Sequence, residues 1–134
     1  MENQEAEKRT CKRFEIPGAT ISYESKKYSE EFSPLGDMSR GGVKFLSKNP
    51  LDINADITLK ISVPGERIAL TFHGKIRWIS FIESKNQYQV GVTFNPYGEK
   101  EGHNYPGNLV KIISLEQKFA PKEETKVEKY EIDS

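Results

Sequence analysis

Ile57-Thr58-Leu59-Lys60-Ile61-Ser62-Val63-Pro64-Gly65-Glu66, with the run that follows it to Trp78, decides the fold. Ile57, Leu59, Ile61 and Val63 alternate with Thr58, Lys60 and Ser62, and a side-chain period of two is that of a half-buried strand. Pro64-Gly65-Glu66 turns the chain. Ile68, Leu70, Phe72, Gly74, Ile76 and Trp78 then keep one phase, and Thr71, His73, Lys75 and Arg77 take the other. This predicts a second, longer strand that bends near Gly74, where a missing side chain permits it. The neighbourhood of Asn86 makes the next turn. Tyr88, Val90, Val92 and Phe94 form a third period-2 strand against Gln89, Gly91 and Thr93.

Upstream, Phe14 and Ile16 share one phase and Ala19, Ile21 and Tyr23 the other. The slip falls at Pro17-Gly18 and predicts a bulge there. Further strands are expected around Ser29 to Phe32 and Val43 to Leu46. Short strands at regular spacing with turn residues between them predict an all-β chain closed as a small antiparallel barrel. The helical period occurs late, at Leu109, Ile112, Ile113, Glu116 and Phe119. It predicts a helix from about Tyr105 to Lys118, with Asn104 as its cap, Pro106 in its first turn, Pro121 closing it and an apolar stripe to lay on the barrel.

At 134 residues the chain is long enough for one domain with a real core. Residues 1–12 are almost devoid of hydrophobic side chains and are expected to form a flexible arm. Residues 13–119 carry the barrel and helix, and 120–134 form a charged tail expected to be disordered. The formal net charge is zero and the pI about 6.8, which argues against non-specific nucleic-acid binding, since that needs a broad positive field. A single cysteine, Cys11, excludes an internal disulfide and points to a reducing cytoplasm. No run of roughly 18 apolar residues is present to span a membrane, and Met1 to Lys8 lacks the apolar centre of a secretion signal. His73, His103 and Cys11 fall at unrelated positions, so no metal-site spacing exists. The absence of a recognisable nucleophile–base pair, GxGxxG or P-loop makes an enzyme a poor reading.

Two segments carry chemistry. Arg9-Thr10-Cys11-Lys12-Arg13 precedes the first strand signal, and Asp37-Met38-Ser39-Arg40-Gly41-Gly42 lies between two strands. Five of the 20 basic residues are arginine, and three of those five lie in these segments. Lysine serves solubility, whereas the arginine fork suits two-toothed recognition of phosphates and guanine edges. The two segments read as halves of one anion- or nucleotide-binding site. Taken singly, each has a plainer reading: a solvated charge run for the first, a capped turn with a hairpin bend for the second. Cys11 lies in a field that favours thiolate, but a lone arm cysteine is usually incidental, and redox sensing is the weaker reading.

The ordered pair Arg-x-x-x-Arg, then Asp-x-Ser-x-x-Gly, each beside a barrel strand, resembles the PilZ domain, a family of bacterial receptors for cyclic di-GMP. Arg9, Arg13, Asp37, Ser39 and Gly42 match its motifs without departure. Gly74-Lys75-Ile76-Arg77-Trp78 and Gly91-Val92-Thr93-Phe94 look like the family's later strands, so the resemblance covers roughly Lys8 to Phe94. It implies a six-stranded antiparallel, PilZ-like split β-barrel with a C-terminal helix. It also implies a cyclic di-GMP-binding adaptor that needs no other cofactor and relays the bound state to an effector protein in motility, polysaccharide or virulence control.

The chemistry of the residues agrees with that implication. A guanidinium forks onto guanine O6 and N7 or onto phosphate oxygens. An ionised Asp37 accepts the N1 and N2 protons of guanine. Ser39 donates or accepts, and Gly41 and Gly42 let backbone N–H groups approach the ligand. Arg40 is a further candidate cation. Two other readings stand beside this one. The first is a PilZ-like barrel that binds no ligand and acts only through protein partners. The second is an OB-like barrel for single-stranded nucleic acid, which needs exposed aromatic platforms. Phe72, Trp78, Tyr88 and Phe94 share a phase with aliphatic core residues and are expected to point inward, which counts against the OB-like barrel.

Overall fold

A computed structural model describes residues 12–121. The expectations placed on Arg9, Cys11 and the rest of 1–11, and on 122–134, lie outside the described residues. Six strands precede one helix: β1 (Thr20–Ser25), β2 (Ser29–Ser39), β3 (Gly42–Ser47), β4 (Asp56–Ser62), β5 (Leu70–Ile82), β6 (Gln87–Phe94) and α1 (Pro106–Phe119). The strands close into a barrel in the order β1-β2-β3-β6-β5-β4, and every neighbouring pair is antiparallel. Closure leaves no unpaired edge.

The inward phase predicted for β4, β5 and β6 builds the core. Ile57, Leu59 and Ile61 meet Phe72, Ile76, Val90 and Val92 inside, and Ile21, Met38 and Phe45 complete the set from the other strands. Phe72 and Phe94 stack with centroids 4.4 Å apart. One polar group is buried with them. The Tyr23 hydroxyl lies 2.6 Å from Ser47 Oγ, donates to Glu30 Oε1 at 2.9 Å and accepts from Asn49 Nδ2 at 3.0 Å. Burial pushes its pKa up, and the ring of partners satisfies a group that would otherwise be costly inside.

Several local expectations need correction. Pro17-Gly18 is a turn, not a bulge: Gly18 takes φ +79° and the Ala19 N–H bonds to the Ile16 carbonyl at 3.1 Å. Phe14 therefore belongs to a separate segment that bridges Met38 of β2 through two hydrogen bonds of 2.9 Å. In β5 the irregularity lies beyond Gly74, between Ile76 (opposite Val92) and Trp78 (opposite Gly91). Gly74 keeps its register, opposite Ile57 and Phe94, and a side chain there would strike the Thr93 carbonyl. The slip turns Trp78 outward, to 42% exposure, and leaves Tyr88 half-buried against Phe81. Ile68 is likewise outside the core, in the turn before β5, and is 80% exposed.

Asn104 is not the helix cap. Tyr105 holds that position without a side-chain cap bond, and Pro106 opens the helix as its fixed φ allows. The Asn104 amide is instead buried. It accepts from the His73 N–H at 2.6 Å and donates to the carbonyls of His73 and Asn95 at 3.0 and 2.9 Å. This ties the β6–α1 connection to β5. The helix presents Ile112, Leu115 and Glu116 to the barrel, while Leu109, Ile113 and Phe119 are only half-buried.

Candidate functional site

The second arginine-bearing segment is the β2–β3 hairpin. Asp37, Met38 and Ser39 end β2, Arg40-Gly41 turns, and Gly42 starts β3, paired with both Ser39 and Thr93. Strand alternation sends Met38 into the core, where it is fully buried, and leaves its neighbours to the other face. The Ser39 hydroxyl is tucked under the turn and accepts the Gly41 N–H at 3.2 Å. At Gly42 a side chain would run into the Val92 carbonyl oxygen, so this glycine is demanded by the close β3–β6 approach. Gly41 faces open space.

The Phe14–Met38 bridge brings Arg13 to Asp37. The Arg13 Nε donates to Asp37 Oδ1 at 2.7 Å, and Nη2 reaches the Asp37 carbonyl at 3.4 Å. From β3, Lys44 Nζ lies 3.4 Å from Asp37 Oδ2. Each carboxylate oxygen therefore faces a cation. The pair is open to water, with side-chain exposures of 48% for Arg13 and 21% for Asp37.

Across from Asp37, β5 and β6 supply the rest of an open cleft of about 370 Å³. Arg77 and Trp78 line it from β5, and Gly91, Val92 and Thr93 from β6. Arg77 Nε contacts Thr93 Oγ1 at 3.4 Å. The indole of Trp78 lies over Gly91, where a side chain would overlap the ring. Thus Arg13, Asp37, Ser39, Gly41 and Gly42 converge on one cleft.

Arg40 is placed elsewhere. Its Nε donates to Glu116 Oε1 at 2.9 Å, and its carbonyl accepts the Tyr97 hydroxyl at 2.9 Å. The Glu116 side chain is only 10% exposed, so this pair fastens the hairpin turn to α1. Burial raises the Tyr97 pKa to about 12. Lys44, Arg77, Trp78 and Thr93 are among the lining residues that escaped sequence reasoning as site members. Arg77 was detectable as a scarce arginine beside the sole tryptophan. The bulge that turns Trp78 outward left no mark in the alternation.

The cleft combines fixed and flexible cations, one acceptor-only carboxylate and an aromatic face. That set suits an anionic ligand bearing a planar ring with N–H donors. Among the described residues no group of His, Cys, Asp and Glu is arranged to hold a metal ion, and no helix is long and apolar enough to cross a membrane.

A family model described as the PilZ domain matches residues 7–105. No curated protein matches the chain. Among solved structures, the Bacillus subtilis inhibitor of motility (MotI/DgrA) is similar, with TM-score 0.60 and 11% identity over 80% of this chain and 48% of that one. The K. pneumonia MrkH–c-di-GMP complex is similar with TM-score 0.52 and 19% identity over 79% of this chain and 51% of that one. The chain spans about half the length of each, and at these identities the likeness is one of fold.

Proposed function

The chain belongs to the PilZ domain family, and on that premise we propose that it is a receptor for cyclic di-GMP that relays its bound state to a partner protein. The observation that carries this reading is the Arg13–Asp37 pair opening into the same cleft as Trp78 and Arg77. Asp37 takes the N1 and N2 protons of a guanine, which only an acceptor can do. Trp78 offers its face to a base, a contact that tolerates either ring orientation. Arg13 keeps Nε on Asp37 and turns its remaining N–H groups to guanine or phosphate, and Arg77 and Lys44 neutralise phosphate charge. Arg9, the other arginine of the family motif, is a further candidate ligand contact. The solved MrkH complex contains c-di-GMP and MotI is an inhibitor of motility, which supports the ligand class and an output through another protein.

The protein acts here as an adaptor and not as a catalyst. Exposure of Trp78 removes one premise that had weighed against a single-stranded nucleic-acid barrel. That reading still has to contend with zero net charge, whereas such barrels rely on long basic grooves. Calorimetry with cyclic di-GMP tests the proposal. Binding is expected in the nanomolar to micromolar range, or about −8 to −12 kcal/mol. No heat, together with no displacement of labelled ligand at ~100 μM, refutes it.

A further inference from the structure

Phe32 is 67% exposed and sits at φ +59°. That left-handed conformation is rare for a bulky side chain, and such strain persists only where the surrounding structure imposes it. The cause is a slip in the β1–β2 ladder. Ile21 pairs with Ser33 and Tyr23 with Glu30, so Glu31 and Phe32 together oppose the lone Ser22. Ser22 Oγ accepts the Phe32 N–H at 3.1 Å and pins the bulge. Bulges re-aim side chains, and this one lifts an aromatic ring out of the barrel into water. The core makes no use of it.

The ring forms a ridge between two clefts. One, of about 440 Å³, is lined by Glu24, Glu30 and Glu31, with Lys60 as its one basic residue. The other, of about 480 Å³, is walled by Pro17, Pro34 and Leu35, with Glu15 at its side. Glu15, Glu24 and Glu31 are exposed, and none has an ion-pair partner among the described residues. An apolar ridge with an acidic surround repels phosphates and anionic lipid, and attracts a cationic surface. An exposed aromatic beside prolines and an aliphatic chain has the composition of an interface anchor.

We propose that the Phe32 ridge is a docking surface for a partner protein that presents Lys or Arg around an apolar pocket. Its position links it to the cleft described above. Glu15 and Pro17 lie two and four residues after Arg13, and Pro34 to Gly36 lead into Asp37. The Phe14–Met38 bridge joins the two segments. Phe32 lies five residues from Asp37 along β2, about 17 Å at a strand's rise. The ridge stands on its own geometry; only its response to cyclic di-GMP rests on the receptor reading.

The test places the photocrosslinker p-benzoyl-phenylalanine at position 32 of the full chain in cells of the source organism, with the exposed Tyr105 as control site. The expected result is a protein adduct formed at 32 and not at 105, with Lys or Arg flanking apolar residues in the crosslinked peptide. Purified, that partner is expected to bind Phe32→Ser and Glu24→Lys/Glu31→Lys variants at least ~10-fold more weakly, and to bind the parent more weakly as salt rises. No adduct beyond the control, an adduct with nucleic acid, lipid or a second copy of the chain, or undiminished binding of Phe32→Ser overturns the proposal. Phe32→Gly provides a readout that needs no partner. Glycine accepts the positive φ freely, so its melting temperature should equal or exceed the parent's, and a fall of more than ~4 °C would show the ring serving the fold. Phe32→Ser should bind cyclic di-GMP like the parent. Partner binding that ignores cyclic di-GMP leaves the ridge standing and counts against the relay alone.

Discussion

Replacement of Arg13 separates a structural ion pair from a ligand-binding fork. In the free protein Arg13 reaches Asp37 mainly through Nε, at 2.7 Å, while its Nη2 contact to the Asp37 carbonyl is long at 3.4 Å. The guanidinium therefore holds the carboxylate with one edge and leaves other donors facing the cleft. The pair itself is half in water, at 48% and 21% side-chain exposure, so solvent screening limits its worth to roughly 0.2–1 kcal/mol of stability. A charge-assisted contact to ligand is worth more. Arg13→Ala should weaken cyclic di-GMP binding by about 2 kcal/mol or more, roughly 30-fold in Kd. Arg13→Lys should lose nearly as much, because an ammonium can hold Asp37 or the ligand but cannot fork between them. Calorimetry supplies the affinities and urea denaturation the stabilities. A lysine variant that binds like the parent refutes the fork. A stability loss as large as the binding loss would show that Arg13 acts through the fold.

Trp78→Ala should weaken binding by roughly 1–3 kcal/mol through lost base stacking, and Trp78→Phe, which keeps an aromatic face, by less than half of that; equal losses in calorimetry would remove the indole from the site. Asp37→Asn presents a donor to guanine's own donors, so the preference for cyclic di-GMP over cyclic di-AMP should shrink. An unchanged ratio of the two Kd values excludes Asp37 from base reading. Arg40→Ala should change ligand affinity by less than about 0.5 kcal/mol yet lower the urea midpoint, since Arg40 faces Glu116 and not the cleft. A large affinity loss would mean that the ligand takes Arg40 from the helix. Tyr97, buried and raised to about 12, holds its proton more tightly folded than unfolded, where its pKa is about 10. Its contribution to stability is complete below about pH 10 and lost as pH rises toward about 12. Urea midpoints measured across that window should fall less steeply for Tyr97→Phe.

Much of the barrel was legible in the sequence because β4, β5 and β6 alternate strictly, and a period of two admits only one face to the core. Ile57, Leu59 and Ile61, and Val90, Val92 and Phe94, are buried as their phase requires. At Pro17-Gly18 the phase changes at a local turn, with Gly18 at φ +79° and the Ala19 N–H on the Ile16 carbonyl. Between Ile76 and Trp78, and at Phe32 opposite Ser22, the chain changes phase by a bulge whose position is set by the partner strand. A single sequence carries no record of that partner. Asn104 was misread for a related reason: its residue type suits a helix cap, yet its partners, His73 and Asn95, come from β5 and the chain after β6. The arginine-bearing segments were visible as motifs, but the second half of the cleft, Arg77 and Trp78 over Gly91, depends on the same hidden slip.

The β2–β3 hairpin holds several obligations between Asp37 and Gly42, and this shapes how a signal can leave the site. Asp37 faces the cleft, Met38 is sealed in the core and Arg40 is fastened to α1 through Glu116. Gly42 is pressed against Val92. A segment so constrained cannot move far without breaking barrel packing, which resists small displacements. The Asp37 carboxylate is therefore a fixed point. Arg13 is the freer member: it lies outside the strands with its side chain 48% exposed, held by its pair with Asp37 and by the Phe14–Met38 bridge one residue on. Ligand binding would reorganise the Arg13 side of the cleft against a rigid hairpin. The natural place for a partner to sense it is the surface continuing from that segment, Glu15 and Pro17, which leads to the Phe32 ridge. A relay built this way would change a surface and leave the core unchanged, as the proposed output through another protein requires.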